Sequence, residues 1–313
     1  MRLLVQSEIK ADEIDHLGHM NVRFYSSRAQ EANQALMASF GLEAGELAAR
    51  GAKLVQSDTY CRYHREQFQG STLAVKGGVL NAAPDALCLY FELDNDAKGE
   101  TAATFIIKAQ MIDPATRAPL PIPAAAVAAA ERALVELPEY GRPRTVDLAP
   151  PRLDLAFDEL AARLAEDDGD PMSRRVERVI EADECDAHGF LDDAQDAMFG
   201  MFRRARMGDE QTFGPMTFVS QAGHRLGWAS METRSVRIAQ PRAGDRLCSI
   251  GAEIGLHAKV RHSRRWMFNV ATGALISMND NVNVALDLDA RRSIEIPAEL
   301  RSQLQRRHVP EYA

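Results

Sequence analysis

The stretch Ala11 to Asn21, "ADEIDHLGHMN", returns 171 residues later as "ADECDAHGFLD", Ala182 to Asp192. Ala, Asp, Glu, Asp and Gly recur in matching places, with Met20/Leu191 and Asn21/Asp192 as near matches. The residues leading in also correspond, Val5 to Val176 and Ile9 to Ile180, each in an every-other-residue apolar pattern that suits a half-buried strand. Further along, "FQGSTLAV" answers to "PRAGDRLCSI", Gly70 to Gly244, and "LPIP" to "IEIP", Pro123 to Pro297, each of the latter before a helical stretch. Correspondence held over so long a span implies a duplicated module of about 140 residues with a spacer.

Within module one the pattern predicts a strand at 2–10, the turn, and then a helix over 22–40, because Tyr25, Ala29, Ala32, Leu36 and Phe40 recur at helical spacing and Gly41 is a fitting stop. Strands follow at 53–64, 71–81, 86–95 and 100–113, separated by Gly and Asn/Asp turns. Module two repeats the order with a strand at 174–182, a helix at 192–207 and strands at 228–239, 244–255, 258–270 and 274–287. Between them lie "LPEYGRPRTVDLAPPRLDL" and the acidic "EDDGD", which is linker composition. The division predicted is therefore 1–137, a linker 138–173, and 174–313. A one-sided apolar helix beside a meandering sheet makes each module α+β, with the sheet wrapped around the helix.

Composition narrows the function classes. With 313 residues, 46% hydrophobic and 26% charged, the chain is an ordinary globular sequence that can bury a core. Its formal net charge of −8 argues against a general nucleic-acid binder, and the basic run "RSQLQRRH" near the C-terminus reads as a solvated helix face. The N-terminus lacks the apolar core of a signal peptide, and the uncharged run Ala118 to Ala130 is proline-broken and too short to span a bilayer. A cytoplasmic location without a membrane partner is the expectation. Cys61, Cys88, Cys185 and Cys248 have no C-x-x-C spacing and read as packing residues in a reducing compartment. His64, His188, His224, His257 and His262 show no paired metal-ligand spacing, and H-E-x-x-H is absent, so no metal is expected. The G-x-S-x-G elbow, the P-loop and the G-x-G-x-x-G fingerprint are absent as well, which leaves no expected cofactor.

In the turn itself, Gly18 allows a sharp reversal and Asn21 can cap the following helix, which accounts for both without chemistry. Asp15 and His19 are left over. An acid beside a helix N-terminus faces unpaired amides that can polarise a carbonyl while the carboxylate attacks it or activates water, a combination suited to acyl transfer. Such an acid must be ionised, which the helix end favours and burial opposes.

The pattern D-x-x-G-H-M-N from Asp15 to Asn21, with Tyr25 ten residues after the acid, resembles the motif of the hotdog-fold thioesterases. That superfamily includes the 4-hydroxybenzoyl-CoA thioesterases and the plant and bacterial acyl-ACP thioesterases. The resemblance implies two tandem hotdog modules forming an intrachain pseudo-dimer, with Asp15 as nucleophile or general base and the Val22 amide as oxyanion donor. The acyl-ACP branch adds a His four residues after the Asp and a carboxylate in a "YRRE"-like strand; this chain has His19 and "YHRE", Tyr63 to Glu66. His19, Asn21 and Glu66 would then orient substrate or water. Leu17 stands where that branch usually has Asn, and Gln67 where some members have Cys.

Module two keeps Asp186 and Gly189 but has Phe190 for His19, Asp192 for Asn21, and "VRIAQP" without an acid at the Glu66 position. One competent site in module one and a degenerate one around Asp186 are expected. The resemblance thus implies an acyl-CoA thioesterase of lipid metabolism, with acyl-ACP as the alternative carrier and a homodimer of double-hotdog chains as a possible assembly. Rival expectations are a hotdog hydratase or dehydratase, whose D-x-N-P-x-H or G-H-F-P motifs are absent, and a non-catalytic acyl-CoA-binding protein.

Overall fold

The computed structural model describes residues 1–15, 18–164, 175–192, 218–219, 223 and 225–313. The chain divides into two compact units, Met1–Arg144 and Thr145–Ala313. The predicted helix at 192–207, apart from its first residue, lies outside the described residues, as do His16, Leu17 and His224.

The first unit runs β1 (Arg2–Glu8), α1 (Val22–Ala38), α2 (Ala44–Ala49), β2 (Lys53–Tyr63), β3 (Thr72–Ala82), β4 (Leu87–Asn95), β5 (Glu100–Ile112), β6 (Pro119–Leu120) and α3 (Ala124–Glu131). Its sheet has the order β1-β3-β4-β5-β2 with antiparallel neighbours throughout. The strands and the long helix fall within a few residues of their predicted positions. Alternation explains the core: Leu87, Leu89, Phe91 and Leu93 of β4 are fully buried in one cluster with Tyr25, Ala29, Ala32 and Leu36 of α1. Tyr90 and Glu92 point to the opposite face and are buried there too, where the Tyr140 hydroxyl donates to Glu92 Oε1 at 2.6 Å. Residues 133–135 pair with β3, the Val135 amide donating to the Val79 carbonyl at 2.8 Å.

Close approach constrains two adjacent glycines of β3, Gly77 and Gly78. A Cβ on Gly77 would lie 2.6 Å from Leu4 Cδ1 and 2.8 Å from the Phe91 ring. Gly77→Ala is expected to destabilise the chain by about 1–3 kcal/mol through overpacking, read as a lowered denaturation midpoint.

The second unit contains α4 (Phe157–Arg163), β7 (Val176–Val179), β8 (Phe218–Val219), β9 (Arg225–Arg237), β10 (Arg246–Leu256), β11 (Val260–Asn269), β12 (Leu275–Asp287), β13 (Arg292–Ser293) and α5 (Ala298–Arg306). Its sheet order, β7-β10-β11-β12-β9, is that of the first unit element for element. The backbone repeats as well. Ile9 exchanges bonds with Gly70 and Ser71 just before β3, as Ile180 does with Gly244 and Asp245 just before β10: the Gly70 amide donates to Ile9 O at 2.9 Å and the Gly244 amide to Ile180 O at 2.9 Å. Pro123 and Pro297 are both helix N-caps, with φ of −55° and −53°.

Two expectations look different in three dimensions. The stretch 138–173, read as linker, contributes packed pieces: Tyr140 and Gly141 cover the first sheet, while Leu160 of α4 is fully buried in the second unit's core. The basic C-terminal run is not simply a solvated face either. Arg307 is 4% exposed, and its guanidinium donates to Gly251 O and Leu164 O. Cys61 and Cys248 are buried in the two cores and all four cysteines are free. No helix among the described residues is long and apolar enough to cross a membrane.

Candidate active site

The turn before α1 is built by its own backbone. The Asp15 amide donates to His19 O at 2.9 Å and the Gly18 amide to Asp15 O at 3.0 Å, closing a loop in which Gly18 has φ +84°, the left-handed region open to glycine. The Asn21 amide donates to Glu13 O at 2.9 Å, which aligns the chain for helix entry. Asn21 is the N-cap, its Oδ1 accepting from the Arg23 amide at 3.1 Å, and its carbonyl accepts from Phe24 at 3.0 Å. Asn21 thereby occupies the second and third amides of α1 and leaves it to Val22, the first residue of the helix, to present the remaining donor at the positive end of the dipole.

Asp15, His19 and Glu66 come together. His19 Nδ1 lies 3.4 Å from Asp15 Oδ2, and His19 Nε2 lies 3.7 Å from Glu66 Oε1. The Asp15 and His19 side chains are 15% and 17% exposed, whereas Glu66 is 41% exposed, so the imidazole bridges a sheltered acid and one open to solvent. Both separations exceed a tight hydrogen bond, as is common at catalytic sites without substrate.

Two bonds from the motif side hold the Glu66 segment. The Met20 amide donates to Gln67 O at 2.7 Å, and the Tyr25 hydroxyl donates to Arg65 O at 3.2 Å. Burial pushes the Tyr25 phenol far above its ordinary value, so this hydroxyl keeps its proton and remains a donor. His64, two residues before Glu66, points to the other face of the sheet and bonds Thr104 Oγ1 at 3.2 Å. Burial and the charges of Arg62, Arg65 and Arg144 push it down to about 4, which keeps it neutral at ordinary pH.

The platform beneath the motif is an ion pair that the sequence patterns did not single out. Arg28, 5% exposed on the apolar side of α1, donates to Glu13 Oε2 at 2.8 Å, Ser7 Oγ at 3.0 Å, Glu8 O at 3.2 Å and Phe24 O at 3.3 Å. It joins β1, the turn and the helix. The sequence signal was an arginine one turn after Tyr25 on a face otherwise built of small and apolar residues.

The second unit repeats the turn and not the constellation. Asp186 N donates to Phe190 O at 2.7 Å, Gly189 N to Asp186 O at 2.9 Å with φ +76°, and Asp192 N to Glu184 O at 2.9 Å. The Leu191 amide donates to Pro241 O at 2.8 Å, which makes Pro241 the counterpart of Gln67 and Gln240 that of Glu66. Asp186 Oδ1 accepts from the His188 and Phe190 amides at 2.9 and 3.2 Å, and the Arg242 guanidinium stacks 4.1 Å over the Phe190 ring that replaces the imidazole. Among the described residues, no group of three His, Cys, Asp or Glu side chains could hold a metal ion.

Residues 9–130, which span the motif, the central helix and β2 to β5, match the thioesterase-like superfamily. The family resemblance drawn from Asp15 to Tyr25 is thus borne out. The chain is also similar to two solved structures along most of its length. An acyl-ACP thioesterase from Bacteroides thetaiotaomicron superposes with a TM-score of 0.57 at 10% identity, covering 89% of this chain and 96% of that one. The 12:0-ACP thioesterase from Umbellularia californica superposes with a TM-score of 0.59 at 10% identity, covering 90% and 93%. At such identity the likeness is one of fold, and that fold is the hotdog. No curated protein matches the chain.

Proposed function

We propose that this chain hydrolyses an acyl thioester in the segment that matches the thioesterase-like superfamily. The observation that carries the proposal is the convergence of Asp15, His19 and Glu66 beside the first turn of α1. Asp15 removes a proton from the attacking water, or itself attacks the carbonyl carbon to give a mixed anhydride that water then hydrolyses to free acid and the restored carboxylate; on either route the developing oxyanion is met by the Val22 amide, and the C–S bond breaks to release the thiolate, which takes up a proton. His19 orients Asp15, and Glu66 positions water from the solvent side, while Asn21 serves the helix cap. A preorganised donor at the oxyanion and a positioned base each contribute on the order of 100-fold or more.

Acyl-CoA is the carrier that asks least of the site, because Asp15 and the helix end suffice for it. The acyl-ACP reading is favoured by one specific observation: the His19–Glu66 approach, which the acid and helix end alone do not require. Presenting one acyl group on both carriers and comparing kcat/KM decides between them. We infer further that the chain is a tandem double hotdog, a reading supported by the repeated strand order and turn geometry and by the likeness of fold over about nine-tenths of the chain.

One site per chain is part of this proposal. Asp186→Asn is expected to leave thiol release within about twofold of the wild type, since Oδ1 of that carboxylate is engaged by its own turn and Phe190 stands where the first unit has His19. Loss of most of the activity in this variant would place catalysis in the second unit instead.

A further inference from the structure

Gln67 follows the proposed water-positioning acid and is 0% exposed. Its side chain is fully engaged across the sheet: Nε2 donates to Glu100 Oε1 at 3.0 Å, and Oε1 accepts from Asn95 Nδ2 at 2.8 Å. Asn95 and Glu100 face each other across the β4–β5 pairing. Its carbonyl meanwhile accepts the Met20 amide at 2.7 Å, one residue beyond His19.

The second unit separates what the fold needs from what this side chain adds. There Pro241 takes the place of Gln67 and still receives the amide bond from Leu191 at 2.8 Å. Asn269, the counterpart of Asn95, pairs through its amide with Ala274 O at 2.9 Å, and Ala274 stands where the first unit has Glu100. The turn and strand are joined there by that backbone bond and by the neighbouring Gln240, whose Nε2 donates to Leu191 O, with no side-chain amide at the Gln67 position itself. Among the described residues, the Gln67–Asn95–Glu100 clamp belongs to the unit that also holds His19 and Glu66.

We propose that Gln67 is a positioning residue that acts through Glu66, fixing the backbone of residues 65–67 so that Glu66 reaches His19 Nε2. The inference rests on the thioesterase proposal. A glutamine locked at both ends of its amide adds a side-chain restraint on the far side of Glu66 from the Tyr25–Arg65 bond and narrows the freedom that the backbone bonds leave to the segment. A displacement of about 1 Å at a catalytic group costs up to 100-fold in rate, so the clamp has a measurable share.

The test is a double-mutant cycle on thiol release together with a polarity swap. Gln67→Leu is expected to lower kcat by about 10- to 100-fold with KM within about twofold, and Glu66→Gln to lower kcat similarly. The double variant should be no slower than Glu66→Gln alone, because Gln67 has nothing left to act through. Gln67→Glu sets a carboxylate against Glu100 and should lose activity, and adding Glu100→Gln restores complementary bonding and should recover most of it. Losses that multiply in the cycle, or a folded swap variant as impaired as Gln67→Glu alone, overturn the inference while leaving the thioesterase proposal intact. If Gln67→Leu does not fold, the swap pair decides alone. A wild-type chain that cleaves no acyl thioester overturns the thioesterase proposal, and this inference with it.

Discussion

Replacing Asp15 by Asn is expected to lower kcat for thiol release by about 100- to 10,000-fold while leaving the unfolding midpoint unchanged. The amide keeps the shape of the carboxylate beside His19 Nδ1, and the backbone bonds that shape the turn, from Asp15 N to His19 O and from Gly18 N to Asp15 O, do not involve the side chain. What the variant loses is the capacity to take a proton from water or to attack the thioester. The measurement is steady-state thiol release at saturating substrate, with circular dichroism melts as the fold control. A variant that retains more than about a tenth of wild-type kcat would remove Asp15 from the chemistry, since a general base contributes at least about 100-fold.

The largest expected effect on stability comes from Arg28. Arg28→Met is expected to cost about 3 kcal/mol, because it leaves the largely buried Glu13 carboxylate without its cation and unlinks α1 from β1. The loss carries a pH signature. Burial pushes the Glu13 carboxyl up, but the Arg28 hydrogen bond, the Lys10 amide and the charges of Arg28 and Lys10 outweigh it and hold the group below its ordinary value of 4.5. A carboxyl depressed by folding contributes stability that is present above the ordinary value and lost as pH falls through the folded one. The gap between wild type and Arg28→Met, measured by urea denaturation, should therefore be widest at neutral pH and narrow as the pH drops below 4.5. A gap independent of pH would mean that Arg28 acts by packing alone.

Much of this was legible in the sequence because it lives in local rules. Alternating apolar residues placed β2 to β5 to within a residue or two, and helical spacing from Tyr25 to Leu36 placed the buried face of α1. The repeat was legible because two copies of a turn need the same special residues: Gly18 and Gly189 both adopt positive φ, and the Asn21 and Asp192 amides donate back to Glu13 O and Glu184 O in the same way. Spacing also suggested Asp15 and His19, four residues apart in one turn. Glu66 came only from the family resemblance, since no local rule brings residue 66 beside residue 19.

What stayed illegible depends on contacts far apart in sequence. Gln67 is an ordinary polar residue until Asn95 and Glu100 close on it from another hairpin. Arg28 looks like a misplaced charge on an apolar face until Glu13 and β1 supply its acceptors. Proline and acid content made 138–173 read as a spacer, yet composition cannot register that Tyr140 finds Glu92 or that Leu160 finds a core. The basic C-terminal run failed in the same way, because Arg307 is drawn inward by backbone carbonyls that no sequence pattern displays.

The most direct measurement of the central claim is product analysis in ¹⁸O-labelled water with a panel of short, branched, aromatic and long acyl-CoAs and acyl-ACPs. Hydrolysis predicts one free thiol for each free acid formed, with one solvent oxygen in the acid, and loss of both products in Asp15→Asn. An intact thioester whose acyl chain has gained or lost water, or a thioester that binds and stays uncleaved, would contradict the account.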